Sequence, residues 1–226
     1  EKIGELDNTL IVMSGDHGMP FPRCKSNNYD SGVRIPLVIR WPTGIRPGTE
    51  SNTFVSLVDL APTYYDLIEL KNQPPTSGKS LLPLLAPGAP NDRKFVIHGK
   101  ERHVPGQENP NMGGYPTRAM RTHDFLYLHN FKPGRWPSGT PEYQKASIGN
   151  AWLADCDNGP TKTYMVENKD KDQHHRNLYE LSFGKRPAEE LYDLKKDPGQ
   201  LVNVAKDPAY AETVTSLRKR LFAELK

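Results

Sequence analysis

The stretch from Asn8 to Pro42 constrains this chain more than any other. An apolar run, Leu10-Ile11-Val12-Met13, stops at Ser14-Gly15-Asp16-His17-Gly18. A polar, basic loop follows, and a second apolar run, Ile35-Pro36-Leu37-Val38-Ile39, closes the unit. Short apolar runs bounded by turn residues read as buried strands. The pattern therefore predicts a strand over 9–14, a loop over 15–34 and a strand over 35–40. A carboxylate and an imidazole arrive together where the first strand ends, with glycines on both sides. Open α/β sheets bind ligands at the carboxyl ends of their strands, and Asp oxygen and His nitrogen are common metal ligands. Alone, the pair equally describes a polar turn in which Asp16 caps a backbone N–H.

Composition narrows the class. With 226 residues there is room for one large domain or two small ones. Hydrophobic residues at 35% and charged residues at 25% describe a globular chain. The net charge of +3 is spread along the sequence, which gives little reason to propose a nucleic-acid partner. No apolar run approaches the ~20 residues that span a bilayer. Glu1–Asp7 reads like the tail of a helix entering a strand, so the chain is expected to begin inside a fold. Cys24 and Cys156 are the only cysteines. They form no disulfide framework and no zinc spacing, so both are expected as free thiols.

Beyond the first unit, residues 54–70 carry Leu57, Leu60, Ala61, Tyr64, Tyr65 and Ile68 at helical spacing, with Pro62 in the first turn. Residues 71–92 are rich in turn formers, and a domain boundary is expected near residue 91. Strands are predicted over 94–98, 117–122 and 124–129, the last two forming a hairpin. Residues 131–177 are polar and aperiodic; a short helix follows over 178–183 and a strand over 190–194. Asp207-Pro208 opens a final helix with Val214, Leu217, Leu221 and Leu225 on its apolar stripe.

Four stretches in order carry a resemblance to the sulfatase family of the alkaline-phosphatase superfamily. They are the Asp16-His17-Gly18 turn with its loop lysine, Ser56–Thr63 (SLVDLAPT), Gly78–Leu85 (GKSLLPLL) and Glu190–Leu194 with Asp197-Pro198 and Asn203-Val204-Ala205. Asp16–Pro22, Tyr115–Arg121 and Leu126–Asn130 look most like the heparan N-sulfatase (N-sulfoglucosamine sulfohydrolase) branch. The resemblance implies the C-terminal part of an α/β sulfatase sheet over residues 1–90, followed by a smaller α+β subdomain over 91–226 with an antiparallel sheet and a C-terminal helix. It implies a hydrolase of sulfate esters or sulfamates on a glycosaminoglycan-like glycan such as heparan sulfate. Asp16 and His17 would be metal ligands, usually for Ca2+, and Lys25 the catalytic, sulfate-binding cation. Periplasmic, secreted or lysosomal residence would follow.

One family element is absent. The cysteine that becomes formylglycine stands in a Cys-x-Pro/Ala-x-Arg motif, and neither cysteine here has it, since Cys24 is followed by Lys25-Ser26-Asn27-Asn28. The nucleophile is expected in an N-terminal portion of the same enzyme, which is this chain's implied partner, and the chain alone is expected to be inactive. Where Lys25 stands, the N-sulfatase branch more often has arginine. His98–His103 clusters cations around one acid, and Arg102 and His103 are the candidate sugar contacts, against the plainer reading of a solvated loop. Trp136 and Trp152 could stack on sugars or fill a core. Arg34 is expected to pair with Asp30 or Asp59. His174-His175 is a weak metal signal. Two alternatives remain in view: a phosphoester or phosphonate hydrolase of the same superfamily, and a noncatalytic protein that binds sulfated glycans.

Overall fold

The computed structural model describes residues 2–85, 92–149 and 151–226. They form two compact units, one of residues 1–14 with 36–96, the other of residues 15–35 with 97–226.

The first unit is built on β1 (Ile11–Ser14) and β2 (Leu37–Arg40), paired antiparallel with Ile11 opposite Arg40 and Ser14 opposite Leu37. A 3-10 turn, Leu57–Asp59, runs into helix α1 (Leu60–Leu67). Asp59 explains the turn: its carboxylate accepts from the Ser56 N–H at 2.7 Å and the Lys79 N–H at 2.8 Å. Arg93 adds a charged bond at 2.5 Å to the same buried side chain. This is a reciprocal N-terminal cap, closed through the Ser56 side chain. Thr63 extends it by donating to the Asp59 carbonyl and accepting from the Leu81 N–H.

The second unit carries the antiparallel strands β4 (Thr117–Thr122), β5 (Phe125–Asn130) and β6 (Glu189–Asp193). They form a sheet in the order β3-β4-β5-β6, where β3 is Phe95–Lys100. The sheet buries Ala119, Leu126, Leu128 and Tyr192 together with Tyr29 from the 15–35 segment. A second cluster holds Leu153, Cys156, Tyr179 and Phe183, with Trp152 packed against it. It lies with helices α2 (Pro160–Glu167) and α3 (Gln173–Phe183). A 3-10 turn, Pro208–Tyr210, opened by the Asp207 side chain accepting from the Ala209 N–H, runs into the last helix, α4 (Ala211–Glu224). No helix among the described residues is long and apolar enough to cross a membrane.

The strand and cap expectations hold to within a few residues, and the α/β class with an antiparallel sheet and a C-terminal helix is observed. The aperiodic reading of 131–177 is corrected: α2 lies inside it, and α3 begins at Gln173 rather than at 178. Strand β3 runs on to Lys100, two residues past the predicted end at His98, so Lys100 belongs to the sheet and not to a loop. Both cysteines are free and buried. The carboxylates read as partners of Arg34 are held elsewhere, Asp30 by Arg121 at 3.0 Å and Asp59 by Arg93.

Candidate functional site

Asp16, His17 and Lys25 all stand on the 15–35 segment, which belongs to the second unit. Close backbone contact folds that segment on itself. The Gly18 N–H donates to the Gly32 carbonyl at 2.9 Å. A Cβ at Gly18 would meet the Ser31 carbonyl at 2.1 Å, and one at Gly32 would meet the Cys24 carbonyl at 2.2 Å. No residue but glycine fits either position without moving backbone. Arg23 and Ser26, at φ of 64° and 63°, bracket Cys24-Lys25 in the left-handed region that such residues seldom adopt.

That conformation is held from outside the segment. The Arg23 guanidinium lies 3.5 Å from the Tyr29 ring centroid and donates to the Gln200 carbonyl. The Tyr29 hydroxyl donates to Glu190 at 2.8 Å, and Gln200 accepts from the Asp30 N–H at 2.9 Å. Asp30 receives Arg121 through Nε and Nη2, a two-point clamp onto β4. Asn28 meets His98 Nδ1 at 3.2 Å.

At the start of the segment, His17 Nδ1 lies 2.7 Å from the Gly18 carbonyl. A carbonyl only accepts, so Nδ1 donates, and in the neutral ring Nε2 is the atom that holds the lone pair. Nε2 faces Asp16 Oδ1 at 3.7 Å, and the Asp16 carboxylate is open to solvent. Two ligand atoms on one divalent ion, each ~2.0–2.5 Å from it, stand about 3–4 Å apart. The pair therefore fits two adjacent positions of a cation shell. Two donors do not complete a shell, and among the described residues no group of three or more His, Cys, Asp or Glu side chains gathers to do so.

Lys25 is held by a residue that sequence reasoning missed. Its Nζ donates to both oxygens of Asp157 at 3.0 Å. Two residues earlier, Asp155 is buried and accepts from Lys100 Nζ at 3.1 Å and from the Val104 N–H at 2.9 Å. The same carboxylate lies 3.4 Å from His103 Nδ1. One short segment thus touches both the Lys25 loop and the His98–His103 stretch. Arg102 turns to the Met112 carbonyl at 3.1 Å.

The 152–158 segment is itself built around Lys162. This ammonium donates to the Leu153 and Cys156 carbonyls, each at 2.9 Å, and to Asn158 Oδ1 at 3.1 Å. Burial draws its pKa below the ordinary lysine value, and the neighbouring Cys156 and Asp157 act against that. Burial likewise lowers Lys100, with Asp155 opposing, and pushes the Cys156 thiol up to about 11. Cys156 is therefore a poor nucleophile near neutral pH. Trp152 is partly buried against the Leu153 cluster, while Trp136 carries the Lys185 ammonium over its ring at 4.7 Å. His175 bonds Asp172 at 2.7 Å and Tyr164 at 3.0 Å, a staple between α2 and α3.

Residues 1–70 match the family model described as Sulfatase. An ulvan-active sulfatase of Formosa agariphila is 29% identical over 98% of this chain and 33% of its own length. The N-sulphoglucosamine sulphohydrolase of Homo sapiens is 28% identical over 96% of this chain and 41% of its own length. The chain is similar to sulfatases along nearly its whole length. It spans between a third and two fifths of the length of these relatives. The solved structure of BT4656 with its substrate D-glucosamine-2-N,6-O-disulfate superposes with a TM-score of 0.61 at 23% identity. That alignment covers 98% of this chain and 35% of the other, and it shows a shared fold.

Proposed function

We propose that this chain is the C-terminal part of a hydrolase that removes sulfate from a glycan, as a sulfate ester or a sulfamate, with residues 1–90 in the catalytic α/β domain and 91–226 as the C-terminal subdomain. The observation that carries the reading is the 15–35 segment, where His17 bonds the Gly18 carbonyl through Nδ1, turns Nε2 to Asp16, and is followed by the Lys25 ammonium. In this reading Asp16 and His17 would hold a divalent cation, calcium by family likeness, which would supply positive charge to stabilise a bound sulfuryl group. Calcium favours oxygen donors, so the imidazole makes the choice of ion itself a point to measure. Lys25 places an N–H donor where a nonbridging oxygen gains charge. Arg102 and His103 contact the sugar, both on the exposed turn beyond β3.

The nucleophile lies outside this chain. Cys24 is buried without the family motif, and Cys156 is buried with a raised pKa. A formylglycine in the preceding portion of the enzyme would supply the attacking oxygen, and that portion is the partner this reading needs. Glucosamine-type glycans are the proposed substrate class, given the name of the human relative. Secreted, periplasmic or lysosomal residence accompanies such substrates.

The test is sulfate release by the full-length protein from N-sulfoglucosamine and a sulfated glucosamine, with a phosphate monoester alongside. Release should stop on chelation of the metal and in Asp16→Asn. Turnover of the phosphate ester alone, or sulfated-glycan binding without release, would overturn the reading in favour of a phosphoester hydrolase or a binding protein.

A further inference from the structure

We propose that Asp157 sets the charge preference of the Lys25 site, favouring singly charged sulfuryl groups over doubly charged phosphoryl groups. The proposal rests on the functional reading above, in which Lys25 meets the anion. Lys25 has three N–H donors, and Asp157 engages the ammonium through both of its oxygens at 3.0 Å. The pair is not sealed off: the Lys25 side chain is 20% exposed and that of Asp157 40%. An incoming anion therefore meets a cation and a carboxylate together.

The consequence follows from Coulomb's law. A lone ammonium attracts a dianion twice as strongly as a monoanion, so an unpaired Lys25 would favour phosphate monoesters. Repulsion from Asp157 also doubles with the ligand's charge. To first order the pair cancels that bias, and the monoanionic sulfate ester or sulfamate loses less by it. Asp157 is also held in place. Lys162 donates to the Leu153 and Cys156 carbonyls before Asp157 and to Asn158 Oδ1 after it, and Asp155 anchors the same turn to Lys100. The backbone that carries the carboxylate is thereby fixed next to Lys25.

The experiment measures binding of inorganic phosphate and of inorganic sulfamate to the full-length protein by calorimetry, at a pH of about 8 where phosphate is mostly doubly charged. Asp157→Asn keeps the shape and removes the charge. It should shift the preference toward phosphate on the order of tenfold, through tighter phosphate binding. Asp157→Glu should keep the wild-type ratio, and Lys25→Gln should weaken binding of both anions, phosphate more than sulfamate. A ratio unchanged in Asp157→Asn would overturn the proposal. So would equal loss of both affinities, which is what a merely structural carboxylate gives. If the protein releases sulfate from no substrate yet the ratio shifts as stated, the functional reading fails while the charge preference stands. If it releases sulfate and the ratio is fixed, only the charge preference fails.

Discussion

His98 ties the Lys25 segment to the sheet and should make the second unit acid-sensitive. Its Nδ1 meets Asn28 at 3.2 Å, and its Nε2 is buried with no partner. Burial dominates its titration; Asp30 opposes and Arg121 reinforces, so the pKa is pushed down to about 4. The unfolded chain holds this histidine near its ordinary value of about 6.5. The unfolded state therefore binds more protons between those values, and stability falls as the pH drops through that window. At pH 5 the linkage relation gives a loss of about 2 kcal/mol relative to pH 7. For a chain of this size that is about 4–8 °C in melting midpoint. Urea denaturation of the wild type and of His98→Gln at both pH values isolates the contribution. Glutamine keeps a donor for Asn28 and does not titrate, so the variant should lose about 2 kcal/mol less between pH 7 and 5. An NMR titration of the histidine rings reads the same quantity directly. A His98 ring that titrates near its ordinary value, or equal pH dependence in both proteins, would refute the argument.

Two further outcomes follow from buried polar groups. Lys162→Met leaves the Leu153 and Cys156 carbonyls without their donor, and should cost about 2–4 kcal/mol in denaturant unfolding. A midpoint equal to wild type would show that the cradle contributes nothing. Tyr29 and Tyr192 both donate to buried Glu190, and burial together with that carboxylate raises both phenols above their ordinary value. A raised tyrosine keeps its proton in the fold, so the stability it adds is present below about pH 10 and is lost as the pH rises beyond. Tyrosinate absorbance should therefore show a fraction of the phenols ionising only as the chain unfolds; smooth titration of every tyrosine near its ordinary value would contradict this.

The elements legible in the sequence were those whose signal is local. The β4–β5 hairpin was readable because alternation and a polar turn lie within Thr117–Asn130. The opening of the last helix was readable because an Asp-Pro pair caps it. Helix α2 was not readable, since the residue it buries is Lys162, whose ammonium is satisfied by carbonyls rather than by apolar neighbours. A periodicity argument has no term for a buried lysine. The first turns of α3 are Gln-His-His-Arg-Asn, equally silent by that measure, and only the Asp172 cap marks where it starts. For the site, family likeness supplied Asp16, His17 and Lys25. Nothing linked Lys25 to Asp157, which lies 132 positions away, and an aspartate in a polar stretch has no distinguishing neighbour.

The geometry around Lys25 is expensive to hold, which bears on what it is for. Left-handed Arg23 and Ser26 each cost on the order of 1 kcal/mol or more. Two glycines permit backbone contacts that any side chain would block. The restraints that offset this come from distant parts of the second unit: Tyr29 in the sheet core, Arg121 on Asp30, Gln200 on Arg23 and on the Asp30 N–H. A solvated loop that only joined two strands would need none of them. Their effect is to fix one ammonium against one carboxylate, and a fixed pair of opposite charges left open to solvent is what a site needs to sort anions by charge rather than merely attract them.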